Sequence, residues 1–508
     1  MVVSIEVKGG ALCNKRRDRV DLLSMPSTSP NVPSGPSQIR LLHDAVIVVP
    51  GIMGSTLKDL ATGKTLWGVG ELFKYSVGMH SDRLRALAVT DRERSGQCVR
   101  IEATGVLNVA DWLPGLGGAQ PYSEIIRRLR KNAVHKNAVM AFPYDWRLSV
   151  THNGALLRTA AQRHLRTWRD HAAHRRYLQS HPEAGPARLL FIAHSMGGLL
   201  VRELMRYGDI AREIRAVLTA GTPFQGSVKA AIMLNSGEGA PVPIKPPLLR
   251  EVAATMPGLY DLLPSYRALD DGRDMRRPGV QDFVALGGRE DLARTSFEWR
   301  QGISGSPLPK HSMVVGFGHR TLQSYRMTAA GAVGQEFMYT RDSGDRVLVG
   351  SDGVPRREDR QGDGTVYRFA AHLRDSEAAL ISVRQEHSAL IRSSTVGDLA
   401  IGMLSGLSHP DELGVMLGDG QLGLDVPEWA EPGKPFPIGV TQWDGKSAPT
   451  CIIREVTGSG AVHHLELRPA EGRLTTNYTL HQTGLYEIEV TGGREPVFRL
   501  ILVVAPEQ

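Results

Sequence analysis

Five short apolar runs recur along the first four hundred positions: Ala45 to Val49, Leu189 to Ile192 after Arg188, Ala216 to Ala220, Met313 to Gly318 and Leu380 to Val383. A half-exposed strand alternates apolar and polar residues, whereas runs of this kind need cover on both faces, the setting of a parallel sheet. Between the first two, residues 153–178 place Leu157, Ala161, Leu165, Trp168 and Ala172 at spacings of three and four. Arg158, Arg163, Arg166 and Arg169 fall off that stripe, so the segment predicts an amphipathic helix. Strands alternating with helices predict an α/β chain with a doubly wound, mostly parallel sheet.

Three segments break this rhythm. Residues 1–40 read as a disordered leader, because the stretch 24–39 is too rich in Pro and Ser to pack. Residues 227–310 replace strands with Pro, Gly and helix-like apolar pieces, as in Met256 to Pro264, and predict a cap or lid inserted into a hydrolase-type domain spanning 41–424. From 425 to 508 the runs at Cys451, His464, Leu485 and Val497 are short strands at regular spacing. They predict an all-β, Ig-like sandwich, with Tyr486 in the position of a tyrosine corner.

Composition narrows the class. A balance of 60 basic to 53 acidic residues is a mild excess that suits a solvated surface or peripheral contact with an anionic membrane, and no basic cluster interleaved with aromatics points to nucleic acid. Three scattered cysteines support neither a disulfide framework nor a zinc site, and no metal or cofactor is expected. The N-terminus carries no long apolar stretch of the signal-peptide kind, and no run reaches membrane-spanning length. The expectation is a soluble, cytoplasmic protein.

The chemistry concentrates at Ala193-His194-Ser195-Met196-Gly197-Gly198, directly after an apolar strand and before Leu199 to Leu204. A serine on a tight strand-to-helix turn is a nucleophile elbow, in which small residues two positions either side let strand and helix backbones approach. Ala193 meets that steric demand in place of the commoner glycine. His194 is adjacent to the serine but points elsewhere on so sharp a bend, so the base comes from a distant segment. In this fold the order is Ser, acid, His. Asp363, between Gly362 and Gly364, is placed where backbone amides reach its carboxylate; Asp352 and Asp359 are rivals. His387 follows the last predicted strand, whereas His372 precedes it. The oxyanion hole needs two amides, those of Met196 and of Ile52 in the glycine-rich turn after the first strand.

These pieces, in order, resemble the lecithin:cholesterol acyltransferase family of α/β-hydrolases. The resemblance rests on Val49 to Ser55, Pro143-Tyr144-Asp145-Trp146-Arg147, the elbow, Gly221 to Ser227, Met256 to Pro264, and Gly362 to Val366 followed by His387. It covers residues 45–410; the β module lies outside it. It implies acyl transfer from a lipid, phospholipid-like ester to water or an alcohol through a Ser195 acyl-enzyme. It also points to Trp67, Trp146 and Phe224 as substrate-contacting positions, although a lone tryptophan such as Trp67 equally reads as core, and Tyr144 to Arg147 as a structural Asp–Arg pair beside a packed indole. Neither the signal peptide nor the disulfide-pinned lid of the secreted members is expected from this sequence. Two other readings stay open: a soluble carboxylesterase or thioesterase for small acyl groups, and a non-catalytic hydrolase scaffold whose 425–508 module binds a protein partner.

Overall fold

A computed structural model describes residues 43–505 apart from 69–80, 108–121, 240–245, 374–377, 406–421, 428, 442, 444, 446–447, 457–459, 471–472 and 494–495. The expected leader therefore lies outside the described residues. Six strands form the central sheet: β1 (Ala45–Val49), β2 (Val139–Ala141), β3 (Leu189–His194), β4 (Ile214–Ala220), β5 (His311–Gly316) and β6 (Ala379–Val383). Their order is β6-β5-β4-β3-β1-β2 and every pairing is parallel. The chain is an α/β-hydrolase-type fold. β1, β3 and β5 are buried at every position, as strands apolar on both faces must be. Parallelism has a functional consequence, because the strands end on one edge and deliver Pro50, Ser195, Gly221, Phe317 and Arg384 to the same rim.

Three local departures from expectation have identifiable causes. The segment 153–178 is two helices, α1 (Val150–Arg169) and Ala172–Ser180, because His171 turns extended and caps the second helix by accepting from the Ala173 amide. β5 begins two residues earlier than its apolar run, since His311 and Ser312 are polar yet buried, and the His311 ring lies 2.8 Å from the Thr219 hydroxyl. The region 227–310 is not purely helical. Its strands Leu269–Asp270 and Met275–Arg276 join Ser324–Thr328 and Gly331–Gln335 in a separate four-stranded sheet that binds the insertion to the chain between β5 and β6. Two-residue strands carry too little periodicity to be read in advance.

The C-terminal region is all-β. A four-stranded sheet and a five-stranded sheet, whose strands include Thr450–Glu455, Gly484–Thr491 and Val497–Val503, enclose a separate hydrophobic cluster around Ile438, Ile453, Ile488 and Ile501. Tyr486 donates its hydroxyl to the Gln482 carbonyl at 3.0 Å, the hydrogen bond that defines a tyrosine corner.

Candidate active site

Ser195 follows β3 with φ 51° and ψ −129°, a strained backbone for a residue with a Cβ, and caps α2 (Met196–Glu203). The strain is held from both sides. The Ser195 amide donates to Ala220 of β4, and a Cβ on Gly197 would meet the Pro50 carbonyl oxygen at 2.5 Å. Strand and helix thus pack at backbone distance, as a nucleophile elbow requires.

The residues expected as acid and base, Asp363 and His387, arrive from the β5–β6 connection and from the loop after β6. Asp363 is 1% exposed and accepts from the amides of Thr365 (3.0 Å) and Val366 (2.6 Å) through Oδ1, which turns Oδ2 toward His387. His387 opens α3 (His387–Leu390). Its Nδ1 lies 2.8 Å from Asp363 Oδ2 and its Nε2 2.9 Å from Ser195 Oγ. The backbone repeats the link, for the His387 amide donates to the Asp363 carbonyl at 2.9 Å. The rivals are elsewhere: Asp359 accepts from Gln323 and from the Gln361 amide, Asp352 caps an exposed turn, and His372 packs near Phe369.

The turn after β1 lies directly over the serine. A Cβ on Gly51 would stand 2.8 Å from Ser195 Cβ and 3.3 Å from Oγ, so only glycine fits. Next to it are Ile52, the residue expected to supply an oxyanion-hole amide, and Met53, which has a positive φ, 61°. Met196 stands at the first position of α2, where a helix amide has no intrahelical acceptor.

A polar chain that sequence reasoning missed joins this turn to the base. The Gly51 amide donates to the Tyr122 hydroxyl at 2.9 Å, Tyr122 lies 3.0 Å from His194 Nδ1, and His194 Nε2 lies 2.9 Å from the His387 carbonyl. A carbonyl can only accept, so Nε2 carries the proton, Nδ1 accepts, and Tyr122 donates. Burial supports this assignment by pushing the His194 pKa down to about 3, which keeps the ring neutral. Tyr122 gave no signal because it stands 71 residues from the glycine it serves.

Trp67, Trp146 and Phe224 correct the expectation of substrate contact. Trp67 and Trp146 are 2% and 1% exposed and pack edge-on with centroids 5.3 Å apart; their indole N–H groups go to the carbonyls of Met53 and Ser55. Large apolar rings with their one polar group satisfied belong to the core, and here they brace the turn after β1 from behind. Phe224 is likewise buried, edge-on to His311. The Tyr144 to Arg147 stretch is structural as well. Tyr144 donates to the Pro50 carbonyl, and Arg147, fully buried, forks onto Asp145 and reaches Glu93. Among the described residues no group of His, Cys, Asp and Glu is arranged to hold a metal ion, and no helix is long and apolar enough to cross a membrane.

Sheet, elbow and rim loops together define the class as α/β-hydrolase. Residues 64–281 match the family described as Lecithin:cholesterol acyltransferase. A 185-residue stretch is 26% identical to the uncharacterized protein YJR098C of Saccharomyces cerevisiae, covering 36% of this chain and 24% of that protein, so the chain spans about a quarter of the length of this curated relative. Among solved structures, a chain of the Tle4–Tli4 complex aligns at 14% identity with a TM-score of 0.43, covering 72% of this chain and 99% of that one. The mature form of Bacillus licheniformis lipase BlEst2 aligns at 12% identity with a TM-score of 0.29, covering 73% and 94%.

Proposed function

We propose that the protein is a serine acylhydrolase or O-acyltransferase acting on lipid esters, with Ser195 as nucleophile, His387 as general base and Asp363 as its orienting acid. The observation that carries this reading is the unbroken line of contacts from Ser195 Oγ through both His387 nitrogens to Asp363. Ser195 Oγ attacks the ester carbonyl carbon as its proton passes to His387 Nε2, and Asp363 stabilises the imidazolium through Nδ1–H. The carbonyl oxygen, now an anion, takes hydrogen bonds from the amides of Met196 and Ile52. Collapse breaks the bond to the alkoxy oxygen, which leaves as the alcohol with the proton from His387. Water or a second alcohol then attacks the acyl-enzyme by the same steps in reverse. The lipid part of the reading rests on the family match over residues 64–281.

Purified protein given phospholipid vesicles, with and without a long-chain alcohol, is expected to release fatty acid or form a new ester, and Ser195→Ala is expected to abolish both. Ser195-dependent turnover confined to two- to four-carbon p-nitrophenyl esters would favour the small-ester reading. No Ser195-dependent turnover of any ester would leave the fold as a scaffold.

A further inference from the structure

The loop that carries His387 is not self-supporting. It leaves β6 at Val383, turns through Arg384 to Glu386 and enters α3, a helix of 4 residues. So short a helix fixes several dihedrals for hardly any hydrogen bonds and takes its shape from its surroundings. On the hydrolase side it is held by the Asp363 carbonyl and by His194.

On the opposite side it is held by the C-terminal strands. Gln385, two residues before the base and 1% exposed, donates Nε2–H to the Pro496 carbonyl at 3.1 Å, while its Oε1 accepts from the Glu386 amide at 3.3 Å. Arg392, just beyond α3, pairs with Glu487 at 3.0 Å and lies over the Phe498 ring at 4.8 Å. Glu487 is 1% exposed, and Arg454 holds its other oxygen at 3.3 Å. A carboxylate so deeply buried commits its partners to one geometry, because moving either arginine strands the charge. Arg499, the residue after Phe498 on the same strand, comes within 3.9 Å of where a Cβ on Gly364 would stand, beside Asp363. The contacts thus bracket the base on both sides along the chain and reach the acid loop.

We infer that the C-terminal β module is a positioning element of the active site, in which Gln385 and the Arg392–Glu487 pair grip the loop before and after His387 and hold the imidazole in line with Ser195. The inference rests on the serine-hydrolase reading and gives the module a role in the reaction in place of a free partner-binding role.

Full-length Gln385→Ala and Glu487→Gln test it, with the exposed module variant Arg468→Ala as control. Each is assayed well below its own melting temperature for p-nitrophenyl ester turnover against pH and for the rate of fluorophosphonate labelling. A base out of line by about 1 Å costs up to about a hundredfold, so both variants are expected to lose roughly ten- to a hundredfold in kcat and in labelling rate. KM is expected to stay within about twofold, since ground-state binding is untouched. Arg468→Ala is expected to match wild type. Wild-type labelling rates in both variants, or losses that only track the unfolded fraction, would overturn the positioning role alone. A wild-type protein that is not labelled would overturn the hydrolase reading and the inference with it.

Discussion

At the scale of residues, the proposed function divides the site between groups that would react and groups that set their geometry. Ser195→Ala or His387→Ala is expected to lower kcat by at least about a thousandfold, with a smaller loss for Asp363→Asn, as measured by ester turnover. Equal activity of Asp363→Asn and wild type would show that the acid lies elsewhere. Gly51→Ala places a methyl group against Ser195 Cβ and is expected to abolish labelling and to lower the thermal transition, because overpacking costs about 1 to 3 kcal/mol. Tyr122→Phe removes the acceptor of the Gly51 amide and the donor to His194. A lost oxyanion donor costs about 2.7 to 4 kcal/mol, and a displaced one costs less, so kcat is expected to fall about tenfold at constant KM. The position of Ser195 on a strand-to-helix turn was legible because such a turn is a local pattern, and the meeting of Asp363 and His387 at the same rim could be anticipated from their places relative to strand ends. Tyr122 and the role of His194 were not, because hydrogen bonds across 71 and 193 residues leave no trace in spacing.

At the scale of elements, the stretch Tyr144 to Arg147 is a clamp beneath the turn after β1. Tyr144 and Trp146 hold that turn through Pro50 and Ser55, and Arg147 anchors the clamp between Asp145 and Glu93. Arg147→Met leaves buried Asp145 without its cation and Glu93 with Arg100 alone, and breaking a buried pair costs about 3 to 5 kcal/mol, so the urea midpoint is expected to fall sharply. An unchanged midpoint would mean that the network relaxes without cost. The paired residues of this clamp were readable as an Asp–Arg pair beside an indole, whereas Trp67 was not assignable from a single position. Only the packing against Trp146 and the bond to Met53 decide that it is core. The long strands were visible for the opposite reason: burial on both faces writes itself into every residue of β1 and β3. The sheet joining Leu269–Asp270 to Ser324–Thr328 is made by pairing between distant, mostly polar pieces and was not.

At the scale of the whole molecule, three histidines make the fold sensitive to acid. Burial pushes His194 and His311 down to about 3 and His319 down to about 4. Their unfolded value is about 6.5, so the unfolded chain takes up protons first. The stability gained by keeping them neutral is intact above that pH and drains as pH falls toward about 4. Asp261 runs the other way: burial raises it to about 6, the native state binds its proton first, and it offsets one of the three between about pH 6 and 4. Two net protons correspond to about 3 kcal/mol per pH unit in that window, so the urea midpoint is expected to be well below its pH 7.5 value at pH 5. Equal midpoints would contradict the burial of these rings. The central claim, that Ser195 is a nucleophile activated by His387, is tested most directly by mapping a fluorophosphonate adduct by peptide mass spectrometry. The account predicts a single adduct on the peptide containing Ser195, lost in Ser195→Ala and strongly slowed in His387→Ala; no adduct on the folded wild-type protein, or one on another serine, would contradict it.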